Sequence, residues 1–338
     1  MIDLGPWLAD VPAATLERIR GARSVLALTH ENPDADTIGA ALGVARLVEA
    51  LGGRATVVCS DPIPPLYAFI PGVDAFRTDP EPGMDYDLVV VSDCGGLDRT
   101  GAVVERNRQL IASLPRVIVD HHASTRGAAP ADWVDADAAA TCEQIAILAV
   151  RLGVPLTAAD GALAAALMAG VVMDTATFAH PNATPRTLAV AAALVEAGAP
   201  LSDISRRLYR TKPTAQLRLF GRILDRIATA DDGRIIYSTL LAGDLAATGT
   251  TAAQSEGLID LLSQAEEADI AILFKEAGAS TRISVRTRPD GVDATVLTGA
   301  FGGGGHARAA GATIEGPLEA AQVLVLAESA RLIAALGR

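Results

Sequence analysis

Arg116-Val117-Ile118-Val119-Asp120-His121-His122 is the stretch on which the reading of this chain turns. Pro115 precedes it and Ala123-Ser124-Thr125 follow, so three β-branched residues in a row, bounded by turn formers, read as a buried strand opening into a loop. The acid and the two imidazoles then sit at the strand's C-terminal end, the edge where open α/β sheets bind ligands. Two readings compete for them. They are either histidines satisfied by ordinary turn chemistry ahead of a helix, or a cluster gathered for use. The rest of the chain bears on the choice.

Upstream, Ala13 to Ala22 reads as an opening helix and Ser24 to Thr29 as a first strand. His30 follows, then the polar loop Glu31-Asn-Pro-Asp34-Ala-Asp36-Thr-Ile-Gly39, then a small-residue helix from Ala40 to Leu51. This is the first half of a βαβ unit. Ala55 to Cys59 is a second strand and Leu88 to Ser92 a third, the latter running straight into Asp93. A helical stretch over 101–113 leads to the stretch quoted above. Three strands therefore deliver acids or imidazoles at the same relative place: His30, Asp34 and Asp36; Asp93; Asp120, His121 and His122. In a parallel sheet those ends lie side by side.

Downstream, 141–152 and 158–173 are Ala-rich and apolar, so they read as helices covering the sheet, the second ending at Asp174. An acid there runs against the helix dipole, which favours cations at a C-terminus. A further helix spans Arg186 to Ala197. Between Arg206 and Arg226 there are seven Lys or Arg and one acid, Asp225. Arg218, Arg222 and Arg226 share one helical face, either as a solvated linker helix or as a basic wall facing the acidic sheet edge. From Arg234 to Leu241, Asp269 to Phe274 and Thr281 to Arg286, strand patterns return, with helices near 255–266 and 294–298. The expected layout is an α/β protein: a domain over 1–195 with a parallel sheet flanked by helices, linker helices over 196–220, and a smaller α/β domain over 221–338, with a cleft between the two.

Composition narrows the function. The 338 residues exceed what one core usually serves, so two domains are expected. Three cysteines, none in a CxxC pair, point to a reducing compartment, and the acidic start MIDLGPWLAD is no secretory leader, so the expected location is cytoplasmic. No apolar run reaches the ~18 residues of a membrane span. A net charge of −12 disfavours long duplex nucleic acid, which binds basic surfaces, and is compatible with a small anionic substrate.

Five carboxylates at one sheet edge repel one another unless cations are present. His30 adds nitrogen, and mixed imidazole and carboxylate ligation suits Mn²⁺, Fe²⁺ or Zn²⁺ better than Mg²⁺. Asp34 and Asp36, two apart in an extended loop, diverge and can each serve a different ion. A pair of ions ~3.5–4 Å apart is an apparatus for phosphate-ester hydrolysis, in which a bridging hydroxide attacks in line. Near the C-terminus, Gly302-Gly303-Gly304-Gly305-His306 exposes backbone N–H groups as anion-binding loops do, although no strand leads into it and its spacing is not a dinucleotide fingerprint.

Taken together, His30-x-x-Pro33-Asp34-x-Asp36-x-x-Gly39, then Asp93, then Asp120-His121-His122, then Asp174, closed by Gly302-Gly-Gly-Gly-His306-x-x-Ala309-Ala310-Gly311, resembles the DHH phosphoesterase superfamily. The closing motif resembles the DHH-associated domain of the NrnA-type nanoRNases and 3′-phosphoadenosine 5′-phosphate (pAp) phosphatases. The resemblance spans nearly the whole chain in the family's order. It implies a first metal held by His30, Asp34 and Asp93 and a second by Asp36, Asp93, His121 and Asp174, with Mn²⁺ the leading ion and Mg²⁺, Fe²⁺ or Co²⁺ as alternatives. It further implies that Asp93 bridges, that His122 touches the scissile phosphate, that Asp120 orients its neighbours, and that Gly303, Gly304, Gly305, His306 and Arg286 hold the nucleotide. The implied substrates are short oligonucleotides, pAp and cyclic dinucleotides, and a homodimer is compatible with the chain.

The chain departs from the family's frequent Ser, Thr and Asn at Ala40, Cys94 and Thr125, and from its glycine at Ala176. These positions bear on polarity around the site and on substrate preference. Three other readings stand beside the favoured one. A RecJ-like exonuclease on long single strands would need a basic or aromatic track that 4% aromatics and an acidic chain do not supply. An inorganic pyrophosphatase would not need the glycine-rich end. A catalytically idle nucleotide sensor predicts a missing ligand, whereas every expected one is present.

Overall fold

The computed structural model describes residues 2–125, 127 and 129–336. The chain divides into two compact units, Met1–Thr211 and Lys212–Arg338.

In the first unit, runs of β-branched and aliphatic residues form β1 (Ser24–Leu28), β2 (Arg54–Val58), β3 (Leu88–Ser92), β4 (Arg116–Asp120) and the two-residue β5 (Trp133–Val134). They make one sheet in the order β2-β1-β3-β4-β5, parallel at every pairing. Both faces are buried, as the near-continuous hydrophobicity of the strands requires. Val25, Ala27, Val90, Val117 and Val119 face one core, and Leu26, Leu28, Val89, Val91 and Ile118 face the other. The larger core is covered by α1 (Ala13–Gly21), α2 (Ala35–Ala50), α5 (Thr141–Leu152), α6 (Ala162–Asp174), α7 (Pro185–Glu196) and α8 (Leu201–Ser205). The smaller is covered by α3 (Ala102–Arg106) and α4 (Arg108–Ser113).

Three local readings need correction. The single helix over 101–113 is two, broken at Asn107, whose side-chain amide donates to Asp79 and to the Val103 carbonyl and so competes with the helical ladder. β5 is too short to leave a periodic signal. α2 starts at Ala35, not Ala40, because the Asp34 carboxylate caps it, accepting from the N–H groups of Asp36 at 2.9 Å and Thr37 at 3.1 Å. Asp34 and Asp36 therefore diverge as N-cap and first-turn residue, not as points of an extended loop.

The closeness of α2 and α6 follows from glycine. A Cβ on Gly39 would collide with the Ala166 carbonyl and come within 2.8 Å of Cys142 Sγ, and one on Gly170 would strike Asp36 Oδ1 and Cys142 Sγ. The small-residue pattern of α6 thus lets its C-terminal Asp174 arrive beside Asp36.

The second unit is a six-stranded mixed sheet, order β10-β11-β9-β8-β7-β6, built of β6 (Ala228–Ala230), β7 (Ile235–Leu240), β8 (Ile270–Ala277), β9 (Ser280–Thr287), β10 (Gly304–His306) and β11 (Ala309–Glu315). Only the β7–β8 pairing is parallel. Ile270, Ile272, Phe274, Ile283 and Val285 pack on α12 (Ala294–Gly299) and α13 (Leu318–Ala335). Ile236, Leu240, Ala271 and Leu273 pack on α9 (Thr214–Leu224) and α11 (Leu258–Leu262), with α10 (Ala242–Thr248) alongside. The helix expected over 255–266 is shorter: it starts only after Gly257, at φ 81°, and ends at Leu262.

The segment Arg206 to Arg226 is not an unbroken basic wall. Arg206 and Arg207 pair with Asp203, and Arg222 and Arg226 bracket the buried Asp244, whose charge they neutralise. No single helix among the described residues is long and apolar enough to cross a membrane.

Candidate metal centre

The first unit's strand order places the site. After β1 the chain leaves into α2 on one face, and after β3 it leaves into α3 on the other, so the C-terminal ends of these two neighbours open a crevice at the switch point. His30 follows β1, Asp93 follows β3, and Asp120 to His122 close the adjacent β4.

Asp93 is the pivot. It is buried and sits at φ 57°, a left-handed conformation that Asp tolerates better than most residues and that turns its carboxylate into the crevice. Its Oδ2 lies 3.5 Å from His30 Nε2, while its Oδ1 lies 3.5 Å from His121 Nε2 and 3.6 Å from His122 Nδ1. Asp34 Oδ1 is 3.9 Å from His30 Nε2 on one side. On the other, His121 Nε2 reaches Asp174 Oδ2 at 3.2 Å and Asp36 Oδ2 at 4.0 Å. Among the described residues three groups result that could hold a metal ion: His30, Asp34 and Asp93; Asp36, His121 and Asp174; and Asp93, His121 and His122, with ligand atoms within 4.8 Å of one another in each.

The three imidazoles are not held alike. His30 Nδ1 donates to the Glu31 carbonyl at 2.7 Å and His121 Nδ1 to the Ala138 carbonyl at 3.3 Å, so each is oriented by its backbone contact with Nε2 toward the carboxylates. His122 is held the other way round, its Nδ1 on Asp120 Oδ1 at 2.7 Å. The other oxygen of Asp120, a fully buried residue, accepts from the Thr125 hydroxyl.

The electrostatics show what the donor set lacks. Burial and the neighbouring charges of Asp174 and Asp93 push the Asp36 carboxyl well up, and burial with Asp93 raises Asp34. Burial pushes Asp174 up to about 6 in spite of His121. Asp93 goes the other way: burial opposes its charge, but the His121 and His30 imidazoles hold it well below the usual carboxylate range. His121 is pushed up to about 12, burial being outweighed by Asp174 and Asp93. Holding protons is one way to offset the negative charge that burial and crowding disfavour here. Divalent cations are the other way to do so, and both the oxygen-rich donors and the Nε2 orientation fit them.

Some contributors carried no readable signal. Thr37 Oγ1 donates to the Ser92 carbonyl at 3.1 Å and so ties the start of α2 to the end of β3. Thr141 and Cys142, opening α5, donate to Asp36, and Thr141 also to Asp93. His180 Nδ1 and Asn182 Nδ2 donate to the Asp174 carbonyl at 3.1 and 3.2 Å. A polar residue at a helix start or in a turn looks the same whether or not it touches such a site.

In the second unit, Arg286, Gly304 and Gly305 line one cavity of about 380 Å³ together with Lys275, Ser284 and Gly311. Gly303 and His306 are not among its lining residues. Gly304 to His306 form an edge strand paired with Ala309 to Gly311 rather than a free loop, and a Cβ on Gly303 would overlap the Gly311 carbonyl. His306 is exposed, and Arg286 Nε donates to Asp260 at 2.9 Å.

Residues 24–182 match the N-terminal domain of the DHH family and residues 232–331 the DHHA1 domain. The bifunctional oligoribonuclease and PAP phosphatase NrnA of Thermus thermophilus is 30% identical over 310 residues, 90% of this chain and 87% of that protein. The chain belongs to the DHH family. It is a DHH phosphoesterase, a hydrolase with the DHH and DHHA1 domains in that order. The NrnA of Bacillus subtilis is 26% identical to this DHH phosphoesterase over 296 residues, 87% of this chain and 90% of that one. An exopolyphosphatase-related protein from Bacteroides fragilis shares its fold, with a TM-score of 0.85 over 98% of each chain at 20% identity.

Proposed function

We propose that this DHH phosphoesterase hydrolyses short nucleotides, cleaving dinucleotide-sized RNA such as pApA and releasing phosphate from pAp, with cyclic di-AMP a further substrate of the same chemistry. The observation that carries the proposal is the pivot position of Asp93, with one oxygen toward His30 and Asp34 and the other toward His121. His30, Asp34 and Asp93 would hold one divalent cation and Asp36, Asp93, His121 and Asp174 the other, Mn²⁺ suiting this mixture of nitrogen and oxygen. Such cations neutralise a transferring phosphoryl group and make water acidic enough to attack it at neutral pH.

The protein's own groups then have definite tasks. His122, fixed through Nδ1 by Asp120, has Nε2 available to donate to a phosphoryl oxygen, and burial of Asp120 keeps that orientation rigid. Asp120 is itself kept ionised: burial opposes its charge, but His122 and Thr125 outweigh it, and in return Asp120 raises the pKa of His122. In the second unit, Arg286 and Lys275 offer positive charge beside a floor of glycines, where a base or a phosphate can approach the backbone closely. Gly303, just before the edge strand, and His306, at its end, complete the proposed nucleotide-holding set. The NrnA relatives, named for oligoribonuclease and PAP phosphatase activity, support the choice of substrates.

The test is incubation of the Mn²⁺-loaded protein with pAp, pApA and cyclic di-AMP, following AMP and phosphate. Release of AMP from pAp and pApA is expected. Inertness toward all three, with turnover of pyrophosphate instead, would overturn the proposal in favour of a pyrophosphatase.

A further inference from the structure

α5 opens without a cap of its own, since its N-cap residue is Ala140 and offers no side-chain acceptor. The acceptor comes from α2. Asp36 Oδ2 accepts from the Thr141 N–H at 2.7 Å and Oδ1 from the Cys142 N–H at 2.9 Å, and the Cys142 thiol donates to the Asp36 carbonyl at 3.4 Å. The Thr141 hydroxyl is spent elsewhere, on Asp93 Oδ1 at 3.1 Å. Thr141 and Asp36 are fully buried and Asp93 nearly so. One threonine therefore grips two carboxylates, by its backbone the one in the first turn of α2 and by its side chain the one just past β3.

The grip is itself braced. Two positions into α5, the fully buried Glu143 receives Arg186 Nε at 2.5 Å, and the same guanidinium reaches Asp135 at 2.8 Å, which fixes both the helix start and the loop leading to it. With one lone pair of Asp36 Oδ2 and one of Asp93 Oδ1 taken by fixed donors, each of these oxygens still lies within about 4 Å of His121 Nε2 at the crevice, at 4.0 and 3.5 Å.

We infer that Thr141 is a positioning residue for divalent-cation binding: it sets the orientations of Asp36 and Asp93 so that both carboxylates present free lone pairs to the same crevice. The inference rests on the reading of these carboxylates as cation ligands. It does not depend on which nucleotide is cleaved.

Thr141→Val separates the two grips. Valine keeps the β-branched shape and the N–H to Asp36 but removes the hydroxyl that holds Asp93, whereas Thr141→Ser keeps the hydroxyl. Metal-free full-length protein is titrated with Mn²⁺ by calorimetry, and urea unfolding of the metal-free forms is recorded alongside. Mn²⁺ affinity should fall about 10- to 100-fold in Thr141→Val and recover in Thr141→Ser, in the range set by residues that orient metal ligands. Thr141→Ala carries the same expectation should the valine variant not fold. Unchanged Mn²⁺ affinity with only a lowered urea midpoint would make Thr141 a structural residue and overturn the inference. Wild-type protein that binds Mn²⁺ but cleaves neither pAp nor pApA would overturn the substrate proposal and leave the titration to decide this one. Wild-type protein that binds no Mn²⁺ would overturn both.

Discussion

Asp120 Oδ1 holds His122 Nδ1 at 2.7 Å while the other oxygen is taken by Thr125, so a fully buried carboxylate has both oxygens committed to orienting one imidazole. An amide in its place keeps the size but loses the negative charge that raises the His122 pKa and that accepts from Nδ1–H, so the doubly protonated, firmly oriented ring is no longer favoured. Asp120→Asn should lower kcat about 10- to 100-fold with little change in bound metal, the effect of losing an orienting partner. Steady-state kinetics with metal analysis on the same sample decide it. A variant with wild-type kcat would remove His122 from the chemistry.

Asp93 offers one oxygen to each side of the crevice from a left-handed backbone position. Asparagine tolerates that conformation, so Asp93→Asn tests the carboxylate without straining the turn. Metal content should drop from about two ions per chain toward one or none, with loss of hydrolysis, since one residue serves both sites. Full metal content in a folded, active variant would sink the bridging role.

Gly170 is one of the points at which α6 meets α2 closely. A methyl group there meets Asp36 Oδ1 and Cys142 Sγ, and lies 2.9 Å from Asp36 Cα, so the helices must part or Asp36 must turn. Gly170→Ala should destabilise the protein by about 1–3 kcal/mol, the usual cost of overpacking, and weaken metal binding at the same time. Urea midpoints and Mn²⁺ titrations report the two effects. Alanine accommodated with both unchanged would mean that the helix contact is looser than described.

Asp244 lies outside the metal cluster and gives a pH prediction. Burial works against its charge, but the Leu241 N–H and the guanidinium groups of Arg222 and Arg226 outweigh it, holding its carboxyl below the usual range. A depressed pKa contributes stability that is present above the unfolded-state value, about 3.9, and lost as pH falls through the folded one. Asp244→Ala should destabilise the second unit by about 1–3 kcal/mol at pH 7, since a capped N–H and two guanidinium contacts are lost together. The difference between variant and wild type should shrink below about pH 4. Urea unfolding at pH 7 and pH 3.5 is the check, and a gap that widens in acid would reverse the sign argued here.

Substrate length separates the proposed function from its main rival. The cationic residues of the basic segment that pair with Asp203 and Asp244 are not free to grip further phosphates. kcat/KM should peak at two or three nucleotides and fall for longer strands, with weak salt dependence because few phosphates are contacted. A series from 2 to about 24 nucleotides settles the matter. Rates that rise with length and run processively on the longest strand would favour a RecJ-like exonuclease.

Local chemistry made part of this protein legible. Runs such as Leu88 to Val91 and Arg116 to Val119 read as strands because β-branched residues buried on both sides leave no other period. The acids and imidazoles just after them were readable because each sits within the first few polar positions beyond such a run. Gly39 of α2, Gly170 of α6 and the cap at Asp34 were equally present in the letters, but their meaning was not. Whether Asp34 begins a helix depends on which N–H groups its carboxylate meets.

What only the tertiary structure decided is which distant residues share the crevice. The order β2-β1-β3-β4-β5 puts His30 beside Asp93, a consequence of how the strands pair and not of any one strand's composition. Thr141 reaches Asp93 across 48 residues of chain and Asp36 across 105, and no periodicity spans such a distance. The basic segment shows the same limit, because charge neutralisation by Asp244 is a fact of packing. Sequence determines what each segment prefers over a few residues. Side-chain orientation at the site is set by hydrogen bonds between segments that come together only when the sheet and its helices close.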